Sequence, residues 1–345
     1  MKKTIFFMLF ATFLLFLLYA AIELFLPVQT SNKNMEIEVP KGATFRQAVE
    51  ILRSQKLIRD KRIFLVTGRL TGVDRRIRAG FYSLWTGMNP LEILKVLRKG
   101  KIIEYEVKVL EGDSLMEITS AFAKTGMISQ EEFMELARDS DFLATYDIKA
   151  PSIEGYIYPD TYFIPKGMKA EEALDLMISN MREKLTDKFN ARTQELGMTE
   201  NLVLTLASII EKEAVIDSER VLISAVYHNR LRKNMLLQAD PTAIYGVKSS
   251  KERITLSDLK RKTPYNTYVN KGLPPGPIAS PSIKSITAAL YPANVPYIYF
   301  VAQDDRSHRF SETAAQHTEA VKRYRMMKQE KMNSTKEGSN GNGPS

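Results

Sequence analysis

The chain has 345 residues, with 49 Lys and Arg, 40 Asp and Glu, three His and no Cys. An apolar share of 44% beside 26% charged residues fits a chain that buries a core, and the length suggests about two domains. The lack of Cys excludes disulfides, thiolate-held metals, iron–sulfur clusters, a thiol nucleophile and a lipidated Cys, and the three His are too scattered for a His-rich metal site. The net charge of +9 is spread along the whole chain, which argues against nucleic acid as a partner.

The first element is apolar. Met1-Lys2-Lys3 leads into Ile5–Ile22, eighteen residues without a charge. Such a run can cross a bilayer as a helix. Two lysines on the short leading side keep that side cytoplasmic and place the rest outside the inner (cytoplasmic) membrane. The length of the run, and the absence of a clear small-residue cleavage site around Ala20 and Ala21, favour a retained single-pass anchor over a cleaved signal peptide. Residues 1–30 are therefore read as cytoplasmic tip and transmembrane anchor.

A repeat follows. Glu38-Val39-Pro40-Lys41-Gly42-Ala43-Thr44-Phe45 and Lys108-Val109-Leu110-Glu111-Gly112-Asp113-Ser114-Leu115 align without a gap at an offset of 70 residues, as Thr44 and Ser114 show. Each copy reads as a strand, a Gly turn, a Thr or Ser cap, an amphipathic helix, and a second helix starting near Asp60 or Gln130. Between the copies, Ala79–Leu84 predicts a strand, and Asn89–Leu97 a short helix with Pro90 in its first turn. The V-x-x-G-x-[ST] opening resembles the LysM glycan-binding module. Residues 35–104 are read as a LysM-like α+β module, with a packing domain that binds nothing as the alternative. A second domain spans 105–330, its start repeating the first, and 331–345, rich in Ser, Asn, Gly and Lys, reads as a disordered tail.

Helix formers dominate Ala170–Leu196, and further helices are expected over Glu200–Ala214 and Val221–Leu231. On the Glu200–Ala214 helix, Glu213 shares a face with Leu206, Ile209 and Ile210, whereas Glu211 lies about 160° away around the wheel. A carboxylate on an apolar face is costly when charged, so its pKa rises, as a general acid requires. The structural alternative is that Glu213 ends the helix and pairs with Arg220, Arg230 or Arg232. Beyond it lie loops dense in Gln, Asn, Asp and Tyr, residues that suit sugar recognition and also simply make turns. A strand is expected over Tyr297–Ala302.

The run Ser208–Gly246, with Tyr265-Asn266-Thr267-Tyr268 and Gly272-Leu273-Pro274-Pro275-Gly276-Pro277-Ile278, resembles the membrane-anchored YceG-like (MltG) endolytic murein transglycosylases. The resemblance covers nearly the whole chain after the anchor. It implies an α+β architecture: a single N-terminal transmembrane helix, a LysM-like α+β module, and a mixed α/β catalytic domain with a lytic-transglycosylase-like helical core. It implies a carbon–oxygen lyase that cuts the MurNAc–GlcNAc β-1,4 bond in nascent peptidoglycan glycan strands, leaves 1,6-anhydro-MurNAc ends, and so ends strand elongation. Peptidoglycan synthases are the implied protein partners, and no cofactor or metal is needed.

Aligned on the family pattern, the catalytic residue is Glu213, with Glu211 as runner-up; Ala214 stands where the family usually has Thr or a small residue. Asn229, Gln238, Asp240, Tyr265, Asn266 and Tyr268 are the candidates for holding sugar. Two other functions stay open: a peptidoglycan hydrolase using Glu213 with Glu219 or Asp240, and a non-catalytic glycan-binding scaffold for cell-wall synthases.

Overall fold

The computed structural model describes residues 2–248, 252–303 and 306–340, with side chains as far as 330. The chain forms a mixed α/β fold with one N-terminal apolar helix and, among the described residues, three two-stranded sheets. It divides into two compact units. One runs through Glu106 and takes in Phe163–Met168; the other holds Val107–Tyr162 and the chain from Lys169 on.

The first unit opens with helix Lys2–Phe25, 24 residues of mean hydropathy 2.6, long and apolar enough to cross a membrane. Strand Asn34–Val39 then pairs antiparallel with Gly80–Trp85, placing Ile37 opposite Tyr82. Alternation along both strands turns Ile37, Val39, Tyr82 and Leu84 inward, where they meet Val49, Leu52, Phe64, Ile93 and Leu97 from three helices, Phe45–Ser54, Lys61–Leu70 and Pro90–Lys99. Close packing leaves no room at Gly68, where a Cβ would lie 2.2 Å from the Phe45 ring. The Tyr82 hydroxyl, buried with its ring, donates to the Arg78 carbonyl and accepts from the Arg78 N–H.

The 70-residue offset has a physical counterpart. Thr44 caps the first helix in a reciprocal box with Gln47, and Ser114 caps Leu115–Ala123 in the same box with Glu117. A second helix follows each, Lys61–Leu70 behind Asp60 and Gln130–Leu136 behind Ser129. The strand of the later copy, Glu104–Lys108, pairs with Thr161–Pro165.

The second unit is largely helical. The span expected as one helix over Ala170–Leu196 is two, Ala170–Lys184 and Asp187–Glu195. Leu185 leaves the helical region, turns its side chain into the core, and Thr186 is extended at the start of the next helix. Helix Glu200–Glu213 begins at the Thr199 cap and is buried from Val203 through Ile210. Arg220–Arg232 packs on it, and Ile283–Leu290 packs on both. Strand Tyr299–Ala302 pairs antiparallel with His308–Ser311, and helix Ala314–Asn340 follows. The tail expected from 331 overlaps the end of that helix, and 341–345 lie outside the described residues.

Candidate active site

Helix Glu200–Glu213 stops where Ala214 turns to extended backbone, and Glu213 is its last residue. Glu213 is partly exposed, but its carboxyl faces inward: Oε1 accepts a 3.3 Å hydrogen bond from the hydroxyl of Tyr227, which is buried on helix Arg220–Arg232. Burial, and then the charge of Asp240, push the Glu213 pKa up to about 8 against the smaller opposing pulls of the Tyr227 hydroxyl, the Asp240 N–H and Arg230. Among the described residues Glu213 has no ion-pair partner.

Glu211 has the opposite surroundings. Its side chain is 5% exposed, it pairs with Arg220 at 3.0 Å, and it accepts from the Ser282 N–H at 2.9 Å and from the Ser282 hydroxyl. The helical wheel separates the two glutamates less sharply than expected, because the helix is enclosed on every side. What separates them is partners. Arg220, one of three cations weighed for Glu213, is committed to Glu211 and Asp217. Arg230 spends its guanidinium on the Ile298 carbonyl at 2.7 Å and the Leu237 carbonyl at 2.7 Å, and Arg232 bonds the Asn229 side-chain oxygen.

Asp240 opens the short helix Asp240–Ile244, and its carboxylate accepts from the Tyr268 hydroxyl. Burial, and then that contact, raise the Tyr268 pKa. The two loops are riveted by Thr242 and Thr267. Their hydroxyls lie 2.8 Å apart, Ala239 N–H donates to Thr267 at 2.9 Å, and Thr267 N–H donates to Thr242 at 3.1 Å. Gln238 sits just before, exposed, with a positive φ of 51° and no side-chain hydrogen bond among the described residues. Glu213, Asp240, Tyr268 and Arg230 thus form one electrostatic cluster.

Two predicted sugar contacts are placed differently. The Asn229 amide donates to the carbonyls of Val295 at 2.9 Å and Tyr297 at 2.8 Å. Asn266, fully buried, donates to the carbonyls of Leu259 and Arg261 and accepts from Tyr268 N–H. Their polar groups are occupied by neighbouring backbone and, at the Asn229 oxygen, by Arg232. Glu219 is likewise held, accepting from the His308 N–H at 2.9 Å and meeting its Nδ1 at 2.7 Å.

A further buried carboxylate belongs to none of the motifs read from the sequence. Glu154 is 3% exposed; its two oxygens meet Leu115 N–H at 2.9 and 3.0 Å, and one accepts from the Tyr245 hydroxyl at 2.8 Å. Burial pushes its pKa up to about 7. The Tyr265 ring packs on Tyr245 with centroids 4.5 Å apart. Gly155, at φ +76°, lies so close to Pro277 that a Cβ there would sit 2.3 Å away, and Ile278 N–H donates to Ser208 at 3.0 Å. The Gly272–Ile278 block is therefore clasped between Gly155 and helix Glu200–Glu213. Glu154, Tyr245 and Lys212 line a cavity of about 330 Å³. The signal that could have found Glu154 is an acidic residue beside Gly in an otherwise apolar and aromatic stretch, Ser152–Tyr158. No cluster of three His, Asp or Glu side chains among the described residues is arranged to hold a metal.

Residues 37–323 match the model of the YceG-like family. The endolytic murein transglycosylase of Bacillus subtilis (strain 168) is 32% identical over 323 residues, covering 88% of this chain and 89% of that one. A protein of the same name from Streptococcus pneumoniae (strain D39) is 28% identical over 309 residues; the match takes in 80% of this chain but only 56% of that longer relative. The crystal structure of a YceG-like protein from Listeria monocytogenes superposes with a TM-score of 0.58 at 30% identity, covering 83% of this chain and 98% of that one.

Proposed function

Since the chain belongs to the YceG-like family, we propose that it is a membrane-anchored endolytic lytic transglycosylase, with Glu213 as the single acid and base. The observation that carries this reading is a carboxyl turned inward at a helix end, without an ion-pair partner among the described residues, whose burial pushes its pKa up to about 8. Apolar helix Lys2–Phe25 tethers the chain, with Lys2 and Lys3 on the cytoplasmic side and the remainder facing the wall. Peptidoglycan synthases, which supply nascent strands, are the proposed neighbours.

Neutral Glu213 donates its proton to the glycosidic oxygen as the C1–O bond breaks. The carboxylate so formed takes the proton of the C6 hydroxyl on the same MurNAc, and O6 closes on C1. One carboxyl serves twice and no water is consumed. Asp240 contributes in two ways: its charge keeps Glu213 protonated, and it stabilises positive charge developing at C1. Tyr268 holds Asp240, and Gln238 offers a free amide to the sugar. Asn229 and Asn266 act through the loops they pin.

The proximity of Asp240 also supports a second reading, hydrolysis by two carboxylates, with Asp240 directing water or forming a glycosyl ester. Mass spectrometry of glycan strands cut by the full chain in detergent separates the two: anhydro-MurNAc ends support the transglycosylase, reducing MurNAc ends the hydrolase, and no cleavage removes both.

A further inference from the structure

The cavity beside the catalytic helix has no part in the mechanism above. Its volume is about 330 Å³, enough for a ligand fragment. Leu115, Met116, Met134, Ile244 and Ile278 give it apolar walls, and Lys212, the residue before Glu213, forms part of its lining. Most polar groups on the wall are already taken. Both Glu154 oxygens receive protein donors, Glu117 closes the box with Ser114, Lys212 donates to the Gly112 carbonyl at 3.0 Å, and Lys248 pairs with Asp258 at 2.6 Å. Arg138 differs. It lines the same cavity, is exposed, and its guanidinium makes no hydrogen bond or ion pair among the described residues. A planar, permanently charged fork over an apolar slot suits a carboxylate on a short, partly apolar chain.

We propose that this cavity binds the peptide substituent of the glycan, with Arg138 gripping a peptide carboxylate and the Leu115, Met134 and Ile244 walls covering its aliphatic side chains. The assignment rests on the peptidoglycan reading and adds to it a specificity determinant: strands that carry peptide acids are held beside Glu213 in preference to bare strands.

The test is binding to the full chain in detergent, carrying Glu213→Gln so that nothing is cut, followed by NMR or calorimetry. Three probes are compared: the bare disaccharide, the disaccharide bearing a tetrapeptide acid, and the same fragment with its peptide carboxylates amidated. The peptide acid is expected to bind about tenfold more tightly than either other probe, and Arg138→Ala to bring that ratio near one. Arg138 is exposed, so the substitution spares the fold, and an unchanged melting temperature checks this. Equal binding of the three probes, no binding of any, or an undiminished ratio in Arg138→Ala overturns the proposal. Preference for the peptide acid, together with a wild-type chain that cuts no strand, would sustain the cavity's assignment and remove the enzymatic reading instead.

Discussion

Glu211 and Glu213 stand two residues apart at the end of one helix and meet opposite surroundings: Arg220 and Ser282 enclose the first, while the second faces Tyr227 and the charge of Asp240. Burial pushes the Glu213 pKa up. The difference between the two is counter-charge: Glu211 has an ion-pair partner and Glu213 has none among the described residues, which suits the first to a structural role and the second to the proposed acid.

Exchanging each glutamate separates these roles. Glu213→Gln is expected to lower glycan cleavage by at least about a hundredfold while leaving the far-UV circular dichroism unchanged. Glu211→Ala leaves the buried Arg220 with only the exposed Asp217 as counter-charge and is expected to cost about 3 kcal/mol, read from denaturant unfolding. Comparable stability loss in both variants would merge the two roles.

The raised Glu213 pKa fixes a sign for pH dependence. Below about pH 4.5, the ordinary value, folded and unfolded chains both carry the proton. Between there and about 8 the unfolded chain releases it while the folded chain keeps it, so this group lowers stability as pH rises, by at most about 1.4 kcal/mol per pH unit. Above 8 the contribution is constant. Glu213→Gln should therefore gain melting temperature relative to wild type between pH 5 and 8, a comparison that cancels the similar slope from Glu154. Activity should fall on the alkaline side as the acid is lost.

Tyr227→Phe removes the hydroxyl that favours the Glu213 carboxylate. The alkaline limb of the cleavage profile should move to higher pH, with a stability change of about 1 kcal/mol. A limb that stays in place would detach Tyr227 from the titration.

Gly155→Ala meets two obstacles, a φ of +76° and Pro277 at 2.3 Å from the added Cβ. A loss of about 2–4 kcal/mol is expected in chemical denaturation, together with reduced cleavage, since Gly155 carries Glu154 and clasps the Gly272–Ile278 block.

Local chemistry made much of this legible in the sequence. The Thr44 and Ser114 caps, the Asn89-Pro90 helix start and the Thr199–Glu213 helix follow from short-range rules. The break at Leu185–Thr186 did not, because tertiary packing of Leu185 overrides a run of helix formers. Within the site, the helical pattern places Glu213 beside Leu206, Ile209 and Ile210, but the partners that distinguish it from Glu211 are visible only in the fold. The commitment of Asn229 could not be read from the sequence, since its partners are backbone carbonyls 66 and 68 residues away. Glu154 was hidden for the same reason: its partners, Leu115 and Tyr245, are 39 and 91 residues distant.

The most direct test of the central claim is the chemistry of the ends that Glu213 leaves. Purified glycan strands, digested by the full chain in detergent beside Glu213→Gln, are resolved by mass spectrometry. The account predicts 1,6-anhydro-MurNAc ends from wild type and none from the variant. Reducing MurNAc ends, or anhydro ends that persist in Glu213→Gln, would contradict it.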